Sequence, residues 1–262
     1  MLVGAGKMGG AMLAGWLEAG LDPAATTVID AAPSEATARL CAARGIALNP
    51  DSPEPAAVLV LAIKPQGLDA AAPNLDPLIG PRTLLVSVLA GKTTADLAAR
   101  LPAARAIVRA MPNLPASIGH GATGAFPNAA VEPAQRAAAE ALLAATGTAV
   151  WLDDEAAIDA VTAVSGSGPA YVFLMVEALT EAGIAAGLTA DIAGRLARAT
   201  VTGAGALLEV DPAEASTLRQ AVTSPGGTTA AALAVLMAED GLPALMQRAV
   251  AAAQRRAGEL SG

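Results

Sequence analysis

From its start to about residue 110 the chain alternates short runs rich in Val, Ile and Leu with Ala-rich segments whose apolar residues recur at helical spacing. The apolar runs fall at 1–3, 27–29, 57–63, 83–89 and 105–110, and helical patterns occupy 8–19 and 35–43. Strands without polar alternation are buried on both faces, and intervening helices cover those faces, so the pattern predicts a parallel sheet in a layered α/β unit. Three residues precede Gly4, against roughly five or six in an ordinary strand, so either the numbering begins inside a longer natural N-terminus or the edge of the strand is clipped.

From about residue 153 the β-branched runs stop and Ala, Leu and Met recur at helical spacing, so this half is expected to be all helix. Its breaks fall at Gly166-Ser167-Gly168-Pro169, Gly187-Leu188-Thr189, Asp211-Pro212, Ser224-Pro225-Gly226-Gly227 and Asp240-Gly241, which are cap and turn chemistries. The expected division is therefore 1–152 and 153–262. Val172, Val176, Leu179 and Ile184 form a helical stripe, with Phe173 and Met175 beside it as core or subunit interface.

Composition removes several classes of function. A chain of 262 residues buries roughly 70% of its unfolded surface, and 54% hydrophobic against 15% charged residues excludes disorder. A net charge of -8 and 2% aromatic residues argue against nucleic acid, whose binding needs clustered cations and stacking rings. Cys41 and His120 are the only residues of their types, so an internal disulfide, a histidine dyad and a Cys/His metal site are excluded by count. Long uncharged stretches are interrupted by Pro and Gly, no export signal opens the chain, and a cytoplasmic protein without membrane partners is expected.

Gly4-Ala5-Gly6-Lys7-Met8-Gly9 follows the first apolar run and opens a helical segment. In a dinucleotide-binding unit the first glycine permits the tight turn, the second lets backbone approach a pyrophosphate, and the third allows close helix–strand packing. The helix N-terminus then offers free N–H groups to the anion, at Lys7, Met8 and Gly9. Asp30 ends the second apolar run, 21 residues after Gly9, where such units place the acid that holds the adenosine ribose. Ser34 is a candidate hydrogen-bond donor to a 2'-phosphate. Of the 16 cationic residues only Lys7, Lys64 and Lys92 are lysines, each where a predicted strand ends, and that end of an open parallel sheet binds ligands.

Ala62-Ile63-Lys64-Pro65-Gln66, Ser87-Val88-Leu89-Ala90-Gly91 and Arg109-Ala110-Met111-Pro112-Asn113-Leu114-Pro115 together resemble the loop succession of the pyrroline-5-carboxylate reductases. Asp159 to Tyr171, containing Ser165-Gly166-Ser167-Gly168-Pro169, and Val222-Thr223-Ser224-Pro225-Gly226-Gly227-Thr228-Thr229 are similar to that family's two most specific motifs, in order. Leu114, Ala232 and Met237 depart from its usual Thr, Gly and Glu. The resemblance implies an α/β Rossmann-type N-terminal domain and an all-α C-terminal dimerisation domain, forming a homodimer that is often built into larger rings. It also implies hydride transfer from NADH or NADPH to the C5=N bond of 1-pyrroline-5-carboxylate, giving L-proline. Cofactor contacts are then expected at Ala62, Ile63, Lys64, Pro65, Ala90, Gly91 and Asn113, and no metal is required.

That reaction asks mainly for positioning, because a protonated imine is already electrophilic. Ser224 as N-cap and Pro225 at the first helical position would leave the N–H groups of Gly226, Gly227 and Thr228 as a site for a small carboxylate. By the resemblance, Thr229 hydrogen-bonds the ring nitrogen, so Ser224 and Thr229 are the candidate catalytic residues. The Ser165 to Pro169 segment reads equally as a bend between helices, His120 as a surface residue, Cys41 as a core residue and Tyr171 as packing near a dimer seam. A related imine or 3-hydroxyacid oxidoreductase, the latter disfavoured by the absence of Lys beyond Lys92, and a dinucleotide sensor without turnover remain as alternatives. Asp30 favours NADH being used at least as well as NADPH, since a 2'-phosphate would meet its charge.

Overall fold

The computed structural model describes residues 1–261. Eight strands, β1 (Leu2–Val3), β2 (Thr27–Ile29), β3 (Ala47–Leu48), β4 (Val58–Leu61), β5 (Leu84–Ser87), β6 (Ala106–Met111), β7 (Gly121–Pro127) and β8 (Gly147–Trp151), form one sheet in the order β3-β2-β1-β4-β5-β6-β7-β8. Helices α1 (Lys7–Glu18), α2 (Glu35–Arg44), α3 (Leu68–Leu75), α4 (Thr94–Arg100) and α5 (Pro133–Ala144) lie between strands, and α6 (Ala157–Val161) follows β8. Then come α7 (Gly168–Ala185), α8 (Ala190–Val210), α9 (Ala215–Ala221), α10 (Thr228–Leu236) and α11 (Leu242–Ser261).

The sheet is parallel from β3 to β6, as the unalternated runs require, but β7 pairs antiparallel with β6 and carries β8 parallel to itself. The parallel expectation holds for every run from which it was read, and the antiparallel step comes at β7, beyond those runs. The segment of β7 contains Gly121 and Gly124, which lower β propensity, and Gly124 is required by packing, since a Cβ there would lie 2.7 Å from Val161 of α6.

Alternate strand residues feed two cores, one on each face. Val60, Val86 and Val108 pack with Met12, Leu13 and Trp16 of α1 and Leu143 of α5. Leu59, Leu61, Leu85 and Ile107 pack with Leu68 and Leu75 of α3 and Leu97 of α4. Each fully buried side chain of this size contributes roughly 1.5–3 kcal/mol. Trp16 also donates its indole N–H to the Leu142 carbonyl at 2.7 Å, fastening α1 to α5. Cys41 is a buried core residue whose thiol burial pushes to a higher pKa.

Two compact units result: Met1–Ser167 with the residues from 253 on, and Gly168–Ala252. The strands end at Trp151, near the expected division at 152, while the first unit continues to Ser167 because α6 packs on β6 and β7. The second unit is helical, with α7 packed along α8. Its helices leave large apolar side chains uncovered in the single chain, Phe173 at 54% and Leu174 at 62% exposure among them. No helix among the described residues is long and apolar enough to cross a membrane.

Candidate active site

β1 and β4 are neighbours at the point where the strand order reverses, the position at which open α/β sheets bind ligands beyond their strand ends. The glycine loop leaves β1 there. Gly4 has φ +89°, and a Cβ on it would lie 2.7 Å from the Ala62 carbonyl oxygen, while a Cβ on Gly9 would overlap the Gly4 carbonyl. A Cβ on Gly6 would meet nothing within 4 Å. The outer two glycines therefore close the loop onto the sheet, and the middle one faces open space. Gly6 caps α1 without a side chain, the first turn carries no acid, and the first intrahelical bond is Gly10 N–H to Gly6 O at 2.7 Å. The N–H groups of Lys7, Met8 and Gly9 thus form an uncapped, partially positive end suited to a pyrophosphate.

Asp30 sits past β2, and its carboxylate already has local work. Oδ2 accepts the Ala5 N–H at 2.7 Å and Oδ1 the Ala32 N–H at 2.8 Å, while its own backbone exchanges hydrogen bonds with the Asn49 amide. Asp30 thereby ties the glycine loop to the β2 loop, and a carboxylate retains further lone pairs for ribose hydroxyls. Ser34 caps α2 by accepting the Thr37 N–H at 3.1 Å. Arg39, the nearest cation along α2, is held by Glu35 at 2.6 Å.

Lys7, Lys64 and Lys92 lie just past the C-terminal ends of β1, β4 and β5. Lys64 is exposed and precedes a single 3-10 turn at Pro65–Gly67, so Ala62, Ile63 and Pro65 follow β4 directly. Ala90 and Gly91 centre a turn after β5, closed by Lys92 N–H to Leu89 O at 3.4 Å, with Gly91 at φ +68°. Asn113 is buried. Its Nδ2 donates to the Ser165 carbonyl at 3.0 Å and its Oδ1 accepts the Ala122 N–H at 2.9 Å, which gives it a positioning task.

One feature of this region escapes motif spacing. Arg109 is 4% exposed within β6, with Glu155 at 3.2 Å and Asp159 at 3.8 Å. The signal was available, since a cation within the apolar run 105–110 must find a buried anion, but its partners are distant in sequence. In α4, Thr93 and Asp96 form a reciprocal capping box. Burial alone would raise the Asp96 pKa, but hydrogen bonds from Thr93 and the charges of Arg100 and Lys92 outweigh it and hold the carboxyl below its ordinary value.

In the second unit the Ser224 loop differs from the expected capped start. Pro225 and Gly226 form the centre of a turn closed by Gly227 N–H to Ser224 O at 3.1 Å, Gly226 has φ +70°, and α10 begins only at Thr228 with Gly227 as its cap. Pro followed by Gly is the residue pair of a type II turn, and that preference overrides Ser224 as a helix cap. The orphan N–H groups accordingly belong to Thr228, Thr229 and Ala230, two residues later than expected, with no acid in the first turn. A Cβ on Gly227 would collide with Ser224 Oγ, so the hydroxyl lies against this cap. The Ser165 segment is a junction between helices, as expected, and carries a π turn as well: Thr162–Gly166 form that turn, with Ser167 N–H donating to Thr162 O at 2.8 Å, a bend falls at Ser167, and α7 begins at Gly168.

A glycine-lined switch point with an uncapped helix end defines a Rossmann-type dinucleotide-binding protein. Residues 155–260 match the family model for pyrroline-5-carboxylate reductase dimerisation, and residues 1–91 match that for coenzyme F420-dependent NADP oxidoreductase. A pyrroline-5-carboxylate reductase of Pseudomonas aeruginosa is 43% identical over 99% of this chain and 95% of its own. The solved pyrroline-5-carboxylate reductase of Coxiella burnetii has a TM-score of 0.92 at 36% identity, covering 100% of this chain and 97% of that one. The Plasmodium falciparum enzyme, solved with NADP bound, shares the fold at TM-score 0.80 and 24% identity, covering 100% of this chain and 97% of that one. The chain belongs to the pyrroline-5-carboxylate reductase family.

Proposed function

We infer that the chain reduces 1-pyrroline-5-carboxylate to L-proline with NAD(P)H, the last step of proline formation. The observation that carries this reading is a pair of glycine-capped helix ends in one chain: α1 behind the Gly4 to Gly9 loop, and α10 behind the Ser224 to Gly227 turn. The first accommodates a pyrophosphate against the free N–H groups of Lys7, Met8 and Gly9. The second accommodates a small carboxylate at Thr228 and Thr229.

Bound NAD(P)H supplies the hydride, which adds to C5 of the protonated imine while the C=N π pair moves onto nitrogen to give the secondary amine. The chain's contribution is orientation. Asp30 holds the glycine loop and faces the ribose side, while Lys64 and the Ala90-Gly91 turn border the strand ends. The α10 N-terminus fixes the substrate carboxylate, and the Thr229 hydroxyl accepts the N–H of the imine. No residue has to move a proton before hydride transfer, which fits a chain with one histidine that lies exposed outside these loops.

The match to the dimerisation family model and the uncovered apolar faces of α7 and α8 support a homodimer, with rings of dimers as a further form. Dependence on reduced dinucleotide and a free, buried Cys41 support a cytoplasmic setting. The activity is tested by adding 1-pyrroline-5-carboxylate to purified protein and NAD(P)H: loss of absorbance at the reduced cofactor's band with stoichiometric L-proline is expected. Oxidation independent of the imine, or none at all, contradicts the reading.

A further inference from the structure

We propose that Glu155 is a positioning residue for the cofactor, acting through the turn that follows β5. The inference rests on the assignment of Ala90 and Gly91 to the cofactor. Residues 88–93 join the end of β5 to α4, and the first N–H of α4 is that of Thr94. An unpaired N–H at this position would ordinarily face water or an anion. Here Glu155, far along the chain, supplies the acceptor: Oε1 takes the Thr94 N–H at 2.7 Å and Oε2 takes the Thr94 hydroxyl at 2.7 Å.

The same carboxylate is fixed in turn by Arg109, whose NH1 donates to Oε1 at 3.2 Å from its buried place in β6. Asp159 stands 3.8 Å from the other guanidinium nitrogen. Charge-assisted bonds of this kind are shorter and stronger than neutral ones and hold direction as well as distance. The turn is also confined at Gly91 itself, which, at φ +68°, lies so close to the Leu260 carbonyl of α11 that a Cβ would intrude on it. Glu155 therefore bridges β6 to the far end of the turn, and Ala90-Gly91 runs between the end of β5 and a fixed Thr94. The physical consequence is preorganisation: a turn held before binding does not lose conformational freedom on binding.

The test is the dissociation constant of NADPH, read by fluorescence without turnover, beside steady-state constants for 1-pyrroline-5-carboxylate at saturating cofactor. Glu155→Gln keeps the shape but removes the charge that Arg109 requires. The expected result is a roughly tenfold weaker NADPH Kd, or about 1.4 kcal/mol, with kcat and the imine KM within about twofold of wild type. Thr94→Ala should weaken NADPH by a smaller factor, and the double variant should be no weaker than Glu155→Gln alone. An unchanged Kd in the folded Glu155→Gln variant overturns the proposal, as does a parallel loss in NADPH Kd, kcat and imine KM. If Glu155→Gln does not fold, Thr94→Ala carries the test, and an unchanged NADPH Kd there overturns it. A wild-type protein that binds NADPH but ignores the imine would refute the proposed activity while leaving this binding test intact.

Discussion

The two helix ends that carry the proposed chemistry are alike in their caps and unlike in what holds them. Both α1 and α10 begin after a glycine, with no capping side chain and no acid in the first turn, whereas α2, α4 and α8 carry Ser34, Thr93 and Thr189 as side-chain caps. The α1 loop is fixed by tertiary packing, through Gly4 against Ala62, Gly9 against the Gly4 carbonyl, and Asp30 on the Ala5 N–H. The α10 loop is shaped by local turn chemistry at Pro225-Gly226, exposed, with open space around Gly226. A long, invariant part of a dinucleotide is matched by a preformed cradle; a small ring is matched by a compact turn ahead of a helix.

That contrast predicts unequal responses to the same substitution. Gly9→Ala should be the most damaging, because the new methyl must displace backbone at the Gly4 carbonyl. About 3 kcal/mol of overpacking should lower the melting temperature by roughly 10 °C and abolish measurable cofactor binding. Calorimetry and NADPH titration check this, and a variant that melts and binds like wild type would show that the cradle is not packed as described.

Gly226→Ala meets no neighbour and pays only for a left-handed backbone, about 1 kcal/mol. The imine KM should rise about fivefold while the NADPH Kd stays constant. Equal losses in both would erase the distinction between the loops.

An effect of similar size, confined to cofactor choice, is expected at Asp30. Asp30→Ser removes a charge from the proposed ribose site, worth about 1 kcal/mol at 4 Å in water, so the kcat/KM ratio should shift roughly fivefold towards NADPH from a wild type expected to use NADH at least as well. An enzyme already selective for NADPH, with an unmoved ratio, would mean that Asp30 serves only the Ala5 and Ala32 amides.

Legibility in the sequence follows the same division. Strands β1, β2, β4, β5 and β6 were readable because double-sided burial writes itself as unbroken Val/Leu runs, and the glycine loop because its spacing encodes a backbone geometry. Strands β7 and β8 were not, since Gly121, Gly124 and Gly147 suppress local propensity and their pairing is decided by partners elsewhere in the chain. The Ser224 motif was recognisable as a helix entrance, yet its first residue was misplaced because Ser as a cap and Pro-Gly as a turn compete for the same four positions. Asn113 was expected at the cofactor from its motif alone, and its side-chain bonds to the Ser165 and Ala122 backbone had no sequence signal. The Arg109–Glu155–Thr94 connection was hidden because an ion pair across 46 residues has no spacing rule.

The central claim is that cofactor and substrate are held by different helix ends. Thr229→Ala addresses it most directly, measured as kcat/KM for 1-pyrroline-5-carboxylate together with the NADPH Kd on the same preparation. A loss of at least about a hundredfold in kcat/KM, the size of a hydrogen bond to a charged group at about 3 kcal/mol, with NADPH affinity unchanged, is the predicted result. Wild-type turnover in Thr229→Ala, or a matching loss of NADPH binding, would contradict it.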